Sequence, residues 1–404
     1  MSLLEILSPV GDMERLQAAL DYGADAVYLG GTAFGMRAAS AYFDSERLRT
    51  ACTKVHEKGK RVYLTTNTLP RSSEIPAFEG FVRDAAAAGV DAMIVTDIGL
   101  LSLIKKYVPD MEIHISTQAG IVNYVTANEF YNMGAKRVVL ARELSLEEIA
   151  LIRDKTPPEL EIECFVHGAM CVSFSGRCLL SQYLTGRDAN RGECAQPCRW
   201  SYTLMEEKRP GEYYPVFEDD SGTYILNAKD MCLIEHLDKL ARAGIDSFKI
   251  EGRAKSAYYV AVVTNAYRKA MDIYKAAPDN YKLPRWLSEE VYKISHRAYC
   301  TGFFFGRPSD SQFYENSGYV REYDVAAVIE RCEDGRIYCV QRNKFGVGDQ
   351  VEVLSYEGVP VTMTVGKMYD VCGNEIETAN HAAMEFSIES EKVFPERSLI
   401  RIKK

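Results

Sequence analysis

The stretch Gly23-Ala24-Asp25-Ala26-Val27-Tyr28-Leu29 sets a pattern that returns three times. The later copies are Gly89-Val90-Asp91-Ala92-Met93-Ile94-Val95, Gly134-Ala135-Lys136-Arg137-Val138-Val139-Leu140 and Gly244-Ile245-Asp246-Ser247-Phe248-Lys249-Ile250. Each copy is a glycine, an alanine or aliphatic residue, Asp or Lys, then a β-branched or apolar run. Glycine suits the left-handed position that ends a helix. A continuous apolar run suits a strand buried on both faces. Each copy therefore reads as a joint between a helix and a strand.

Working outward from these joints, eight strands are predicted near 4–8, 26–30, 61–66, 92–96, 112–116, 136–140, 160–166 and 247–251. Amphipathic stretches at 45–58, 74–88, 98–107, 121–133 and 145–155 lie between them. Eight alternations of strand and helix predict an α/β fold, a (β/α)8 TIM-like barrel, here over residues 1–313. The competitor is an open doubly wound sheet. No Gly-x-Gly-x-x-Gly opens the first unit, which counts against a dinucleotide fold. After strand seven comes a Cys-rich insertion, about 167–246, which on a barrel emerges at the C-terminal face where active sites lie. A short strand pair is expected inside it, near 201–206 and 223–227. A helix near 256–276 follows. From about 320 the apolar residues alternate with period two, at 325–329, 336–341, 350–354, 359–365 and 398–402. With Asp334-Gly335 and Glu357-Gly358 as turns, residues 320–404 are expected to form a small C-terminal β-barrel domain. Tyr314 to Val320 reads as the linker.

The chain has 404 residues and a formal net charge of −9, so no global positive field draws nucleic acid to it. An RNA partner would need a local basic patch. No apolar run reaches roughly 18 residues, so no membrane span is expected. The segment Met1-Ser2-Leu3-Leu4-Glu5 lacks the features of a signal peptide, and a cytoplasmic location with reduced thiols is expected.

Eleven cysteines is a high count for such a chain. Cys52, Cys300, Cys332, Cys339 and Cys372 are scattered in periodic segments and read as core packing. Cys164, Cys171, Cys178, Cys194 and Cys198 gather in one segment, and Cys232 follows. The Cys194/Cys198 pair allows zinc, but Cys171/Cys178 is too wide for the usual close pairs. Iron–sulfur clusters take four thiolates at looser spacing. Spacing alone leaves iron–sulfur, zinc, and catalytic or buried thiols open.

His167, four residues before Cys171, is a candidate base for a Cys/His nucleophile; the alternative is a histidine that orders the loop through a backbone hydrogen bond. Neither His-Glu-x-x-His nor Gly-x-Ser-x-Gly is present. Arg177, Arg187, Arg191 and Arg199 suit a phosphate or carboxylate, against the alternative of solvated loop charge. Tyr183 and Trp200 could stack bases, against the alternative of packing. Asn67, Thr96, Asp97, Ser116, Thr117, Gln118, Arg142, Glu143, Glu251 and Arg253 all stand at predicted C-terminal strand ends. Polar groups there would line a barrel mouth.

The run Glu163-x-Phe165-x-x-Gly168-Ala169-Met170-Cys171, then Gly176-x-Cys178-x-Leu180-Ser181, resembles the signature of the collagenase-like peptidase family U32. Ser8-Pro9-Val10-Gly11, Gly30-Gly31 and Arg191-Gly192-x-Cys194-x-x-Pro197-Cys198-Arg199 are similar to the same family, through residues 1–300, and the tail resembles its C-terminal domain. No proteolytic constellation is recognisable here, and several family members are instead oxygen-independent hydroxylation proteins. The resemblance implies a four-iron four-sulfur cluster on Cys171, Cys178, Cys194 and Cys232, with Cys198 as the spare thiol. A hairpin pairing 223–226 back toward 201–206 would return Cys232 to the loop.

Length and tail are most similar to members that hydroxylate the wobble uridine of tRNA. That implies tRNA as partner, prephenate as cosubstrate and 5-hydroxyuridine as product. On this reading His167, Arg142, Glu143, Glu251 and Arg253 are catalytic candidates, and Arg177, Asn67 and Gln118 bind the cosubstrate. Arg142, Arg177 and Arg253 would hold the dicarboxylate. The rivals are a collagenase-like, metal-independent protease and an RNA-binding scaffold with structural zinc. A partner subunit or homo-oligomer stays open.

Overall fold

The computed structural model describes residues 4–36, 43–171, 173–174, 178–189, 192–200, 217–219, 222–224, 229–306 and 319–404. Seven parallel strands come first: β1 (Glu5–Pro9), β2 (Ala26–Gly30), β3 (Arg61–Thr66), β4 (Ala92–Val95), β5 (Glu112–Ile115), β6 (Arg137–Val139) and β7 (Glu161–Ala169). The helices between them are α1 (Met13–Asp21), α2 (Ser45–Glu57), α3 (Phe78–Ala87), α4 (Ile98–Tyr107), α5 (Tyr124–Asn132) and α6 (Leu146–Asp154). In the insertion lie α7 (Leu180–Thr185), the antiparallel pair β8 (Phe217–Asp219) and β9 (Gly222–Tyr224), and β10 (Asp230–Cys232). Then follow α8 (Leu237–Arg242), the eighth barrel strand β11 (Ser247–Ile250), α9 (Ala257–Ala276), α10 (Arg285–Glu290) and β12 (Tyr299–Cys300).

β11 pairs in parallel with both β1 and β7, so the sheet closes and the open doubly wound alternative falls. The repeated joint explains the closure at its lower rim. Gly23, Gly89, Gly134 and Gly244 all have positive φ. The next residue's amide reaches five residues back in each copy: Ala24 N to Ala19 O, Val90 N to Ala85 O, Ala135 N to Phe130 O and Ile245 N to Leu240 O. This is the Schellman ending that needs a left-handed residue. In the three copies that carry Asp, its carboxylate then pins the neighbouring strand. Asp25 accepts from Ile6 N at 2.9 Å, Asp91 from Val62 N at 2.7 Å and Asp246 from Ile162 N at 2.9 Å. At the other rim, Asp12, Asp44, Asp97, Asn123, Ser145 and Ser256 cap helix starts, satisfying amides with no intrahelical partner.

The expected strand pair at 201–206 and 223–227 falls largely outside the described residues, and β9 pairs instead with β8. Cys232 returns by another route. β10 runs antiparallel to the end of β7, with Asp230 opposite Ala169 and Cys232 opposite His167.

The tail comprises β13 (Tyr323–Glu333), β14 (Arg336–Gln341), β15 (Phe345–Gly346), β16 (Gln350–Leu354) and β17 (Val361–Thr364). It continues through β18 (Met368–Asp370), β19 (Glu375–Ile376), β20 (Thr378–Ala379), β21 (Glu385–Glu389) and β22 (Leu399–Lys403). Eight of these form an antiparallel half-barrel in the order β17-β16-β22-β13-β14-β21-β18-β19, around Ile329, Ile337, Phe386, Ile388 and Ile400. Buried Arg401 ties it to the barrel, 2.7 Å from Glu290 and 2.6 Å from Glu352. Cys52 and Cys339 are core residues as expected, but Cys372 is exposed, in the tight turn whose Asp370 carboxylate accepts from its amide.

Candidate active site at the barrel mouth

The barrel interior is charged as well as apolar. Inside it, Arg137 of β6 meets Glu5 of β1 at 2.7 Å and Glu163 of β7 at 3.0 Å. Tyr63 donates to Glu5 at 2.6 Å, and Ser247 donates to it at 2.8 Å. Glu163 passes the network upward, accepting from Lys249 Nζ at 2.7 Å. Burial alone would raise the Glu163 carboxyl, but the Lys249 and Arg137 cations outweigh it and hold it at about 2. Glu163 is therefore an anion deep in the barrel, and Lys249 is its cation.

Lys249 reaches the floor of a cavity of about 360 Å³ at the C-terminal face. Its ammonium also lies 4.5 Å from the Tyr28 ring centroid, a cation–π arrangement. Around the cavity stand Thr65 in β3 and Asn67 just after it, Ser116, Thr117 and Gln118 after β5, and Arg142 and Glu143 after β6. Glu251 and Arg253 follow β11. The roof comes from the insertion, with Cys171, Cys178, Cys194 and Cys198 all on the lining.

Three motif glycines make this mouth possible. The guanidinium of Arg253 donates to Thr65 Oγ1 at 2.9 Å and to the Met36 carbonyl. A Cβ on Gly30 would stand 2.7 Å from its Nη1, and one on Gly11 would stand 2.4 Å from its carbonyl oxygen. Gly168 has φ of 112°, and a Cβ there would sit 2.6 Å from the Glu251 oxygen. At Gly11 and Gly168 the obstacle is main chain, and at Gly30 the Arg253 guanidinium would have to move, so these glycines clear the ground on which Glu251 and Arg253 rest. Arg142 is held over the Phe165 ring at 3.8 Å and donates to the Ala169 carbonyl at 2.7 Å.

Two expected members stand apart from the cavity. His167 is buried between β7 and α9, beside Tyr259 and Tyr267. Its Nδ1 lies 3.5 Å from the Tyr267 hydroxyl and its Nε2 lies 3.3 Å from that of Tyr299. Burial pushes it down to about 3, so it is neutral and sealed away from the cavity. The catalytic-base reading of His167 is corrected on this geometry: the ring packs the back of β7. Cys232 stands opposite His167, its Sγ 4.0 Å from the Tyr267 hydroxyl, with burial pushing its thiol up to about 12. Arg177 and Arg191 lie outside the described residues.

The donor set suits a soft metal group, since thiolates are the ligands that iron–sulfur clusters and zinc take. Four thiols share the cavity roof, and β10 brings a fifth to the start of the loop. Among the described residues no three His, Cys, Asp or Glu side chains close on one metal position. The four roof thiols fit such a group by chemistry, while Cys232, turned to Tyr267, stands apart from them.

Lys249, Glu163, Tyr28 and Thr65 were not singled out as site residues from sequence. The available signal was a charge inside a buried strand, as in Phe248-Lys249-Ile250 and Ile162-Glu163-Cys164, because buried charges require partners.

Sequence comparison agrees with this architecture. The profile of peptidase family U32 matches residues 11–313, and that of the peptidase family U32 C-terminal domain matches residues 321–401. The chain is 36% identical over 396 residues to tRNA hydroxylation protein P1 of Bacillus subtilis, covering 97% of this chain and 93% of that one. It is 35% identical over 417 residues to tRNA hydroxylation protein P of Escherichia coli, covering 93% and 91%. It is 30% identical over 427 residues to a collagenase of Porphyromonas gingivalis, covering 99% and 98%. On the profiles and on these full-length relatives, the chain belongs to peptidase family U32.

Proposed function

We propose that this chain hydroxylates a nucleotide of tRNA without molecular oxygen, forming 5-hydroxyuridine at the wobble position, with prephenate as cosubstrate. The observation that carries the reading is the match to two tRNA hydroxylation proteins over more than nine-tenths of this chain. The cavity is compatible with it. Lys249 on the floor and Arg142 and Arg253 on the walls supply cations for a dicarboxylate. Asn67, Ser116, Thr117 and Gln118 offer amide and hydroxyl groups that can meet the polar edge of a pyrimidine. Glu143 and Glu251 are acceptors on the lining, and Glu163 accepts from Lys249 Nζ at 2.7 Å.

In this reading Cys171, Cys178 and Cys194 from the cavity roof, with Cys232 from the end of β10, would hold a four-iron four-sulfur cluster. Such a cluster supplies one-electron chemistry when bound. The chain's own part is to fix the dicarboxylate against the arginines, to present one base to it, and to keep the Lys249 ammonium charged beneath both.

The collagenase relative favours a peptidase, but that reading is weaker. No histidine is among the described residues lining the cavity, and His167, the one imidazole near Cys171 in sequence, faces α9. The test is nucleoside mass spectrometry of tRNA from a strain lacking this protein and any paralogue, with and without a restored copy. Loss of 5-hydroxyuridine derivatives and their return are expected. An unchanged wobble uridine would refute the proposal.

A further inference from the structure

A cavity of about 360 Å³ lies at the small end of ligand pockets. One nucleotide of an RNA can enter it, and the flanking nucleotides must lie on the rim. The segment that roofs the cavity carries three large rings open to water. Tyr183 is 78% exposed, Phe174 52% and Trp200 43%. Each belongs to the segment that roofs the cavity. Tyr183 is one helical turn after the lining residue Leu180 in α7, and Trp200 is two residues after the lining residue Cys198. Phe174 reaches across to the β5 loop, 3.9 Å from where a Cβ on Gly120 would stand. Exposed Arg187 stands two residues after α7.

Large rings held in solvent beside cationic walls are the arrangement that binds single-stranded nucleic acid, through stacking on the rings and phosphate contacts to the cations. We infer that Phe174, Tyr183 and Trp200 form a stacking platform for the unpaired bases that flank the target nucleotide. The inference rests on the RNA reading above and names the surface that holds that substrate outside the cavity. Continuity with the cavity, which on the reading above takes one nucleotide, favours RNA over a protein partner.

The chain has two tryptophans, Trp200 and Trp286, so full-length Trp286→Phe protein reports on Trp200 alone by fluorescence. It is titrated with an RNA hairpin carrying an unpaired, uridine-containing loop, and with a blunt RNA duplex of equal length. The hairpin should quench Trp200 emission and bind more tightly than the duplex. Tyr183→Ala and Phe174→Ala should each weaken hairpin binding roughly 5- to 150-fold. Tyr183→Phe should stay close to the parent, and Tyr183→Leu, apolar but without a ring, should behave like the alanine variant. Wild-type hairpin affinity in the alanine variants, with Trp200 emission unmoved, would overturn the platform and leave the RNA reading standing. A parent chain that binds no RNA would overturn both. A parent that self-associates through these rings, with monomeric alanine variants and unchanged hairpin affinity, would assign the surface to a second copy and overturn the platform.

Discussion

Glu163→Gln tests the charged column beneath the cavity. The substitution keeps the size of the side chain and removes a charge that lies 2.7 Å from Lys249 and 3.0 Å from Arg137. Arg137 keeps Glu5 and Glu161, each at 2.7 Å, so the loss falls mainly on Lys249. Breaking a buried ion pair by removing one partner costs about 3–5 kcal/mol. An independent ceiling comes from deprotonation. Lys249 escapes its unpaired charge by losing a proton, which at pH 7 costs about 5 kcal/mol from an ordinary lysine value of roughly 10.4.

The two figures agree, and the second depends on pH: at pH 9 the ceiling falls to about 2 kcal/mol. Urea denaturation at both pH values reads the difference directly. The double variant Glu163→Gln/Lys249→Met removes both charges and should recover most of the lost stability, because no unpaired ion remains. It should still fail in tRNA hydroxylation if the floor cation binds substrate. A single variant less than about 1 kcal/mol weaker than the parent, or a penalty equal at pH 7 and pH 9, would refute the reasoning.

Gly30→Ala places a methyl 2.7 Å from Arg253 Nη1 and should displace that guanidinium from Thr65. We expect about 1–3 kcal/mol of lost stability and a larger proportional loss of 5-hydroxyuridine in a complemented strain, with a normal modification level counting against the cradle. Anaerobically purified protein should be brown with about four irons per chain; alanine at Cys171, Cys178, Cys194 or Cys232 should bleach it, and alanine at Cys52 or Cys339 should not. Stoichiometric zinc in a colourless preparation would defeat the cluster. His167 is depressed to about 3 in the folded chain, so its contribution to stability is full above the unfolded value near 6.5 and is lost as pH falls toward 3. His167→Phe should therefore flatten the acid limb of stability by up to about 1.4 kcal/mol per pH unit in that window, and an unchanged slope in denaturant titrations would show that the ring is not buried neutral.

The barrel was legible because its signals are local. A left-handed glycine, the amide that reaches five residues back and the following aspartate all lie within one short joint, and repeating that joint orders the strands. The polar strand ends were legible for a related reason: in a closed parallel barrel all the C-terminal ends share one face, so Asn67, Gln118, Arg142 and Glu251 converge whatever the loops do. His167 shows where such reasoning stops. Four residues from Cys171 says nothing about which side of β7 the ring takes, and packing against Tyr259 and Tyr267, about a hundred residues later, turned it away. Lys249 and Glu163 are 86 residues apart, and their meeting depends on β11 closing onto β7. Local propensity and periodicity could therefore be read along the chain, whereas the buried charges that floor the cavity find their partners only once the sheet has closed, because an ion taken out of water is tolerable only where the fold brings its counter-ion.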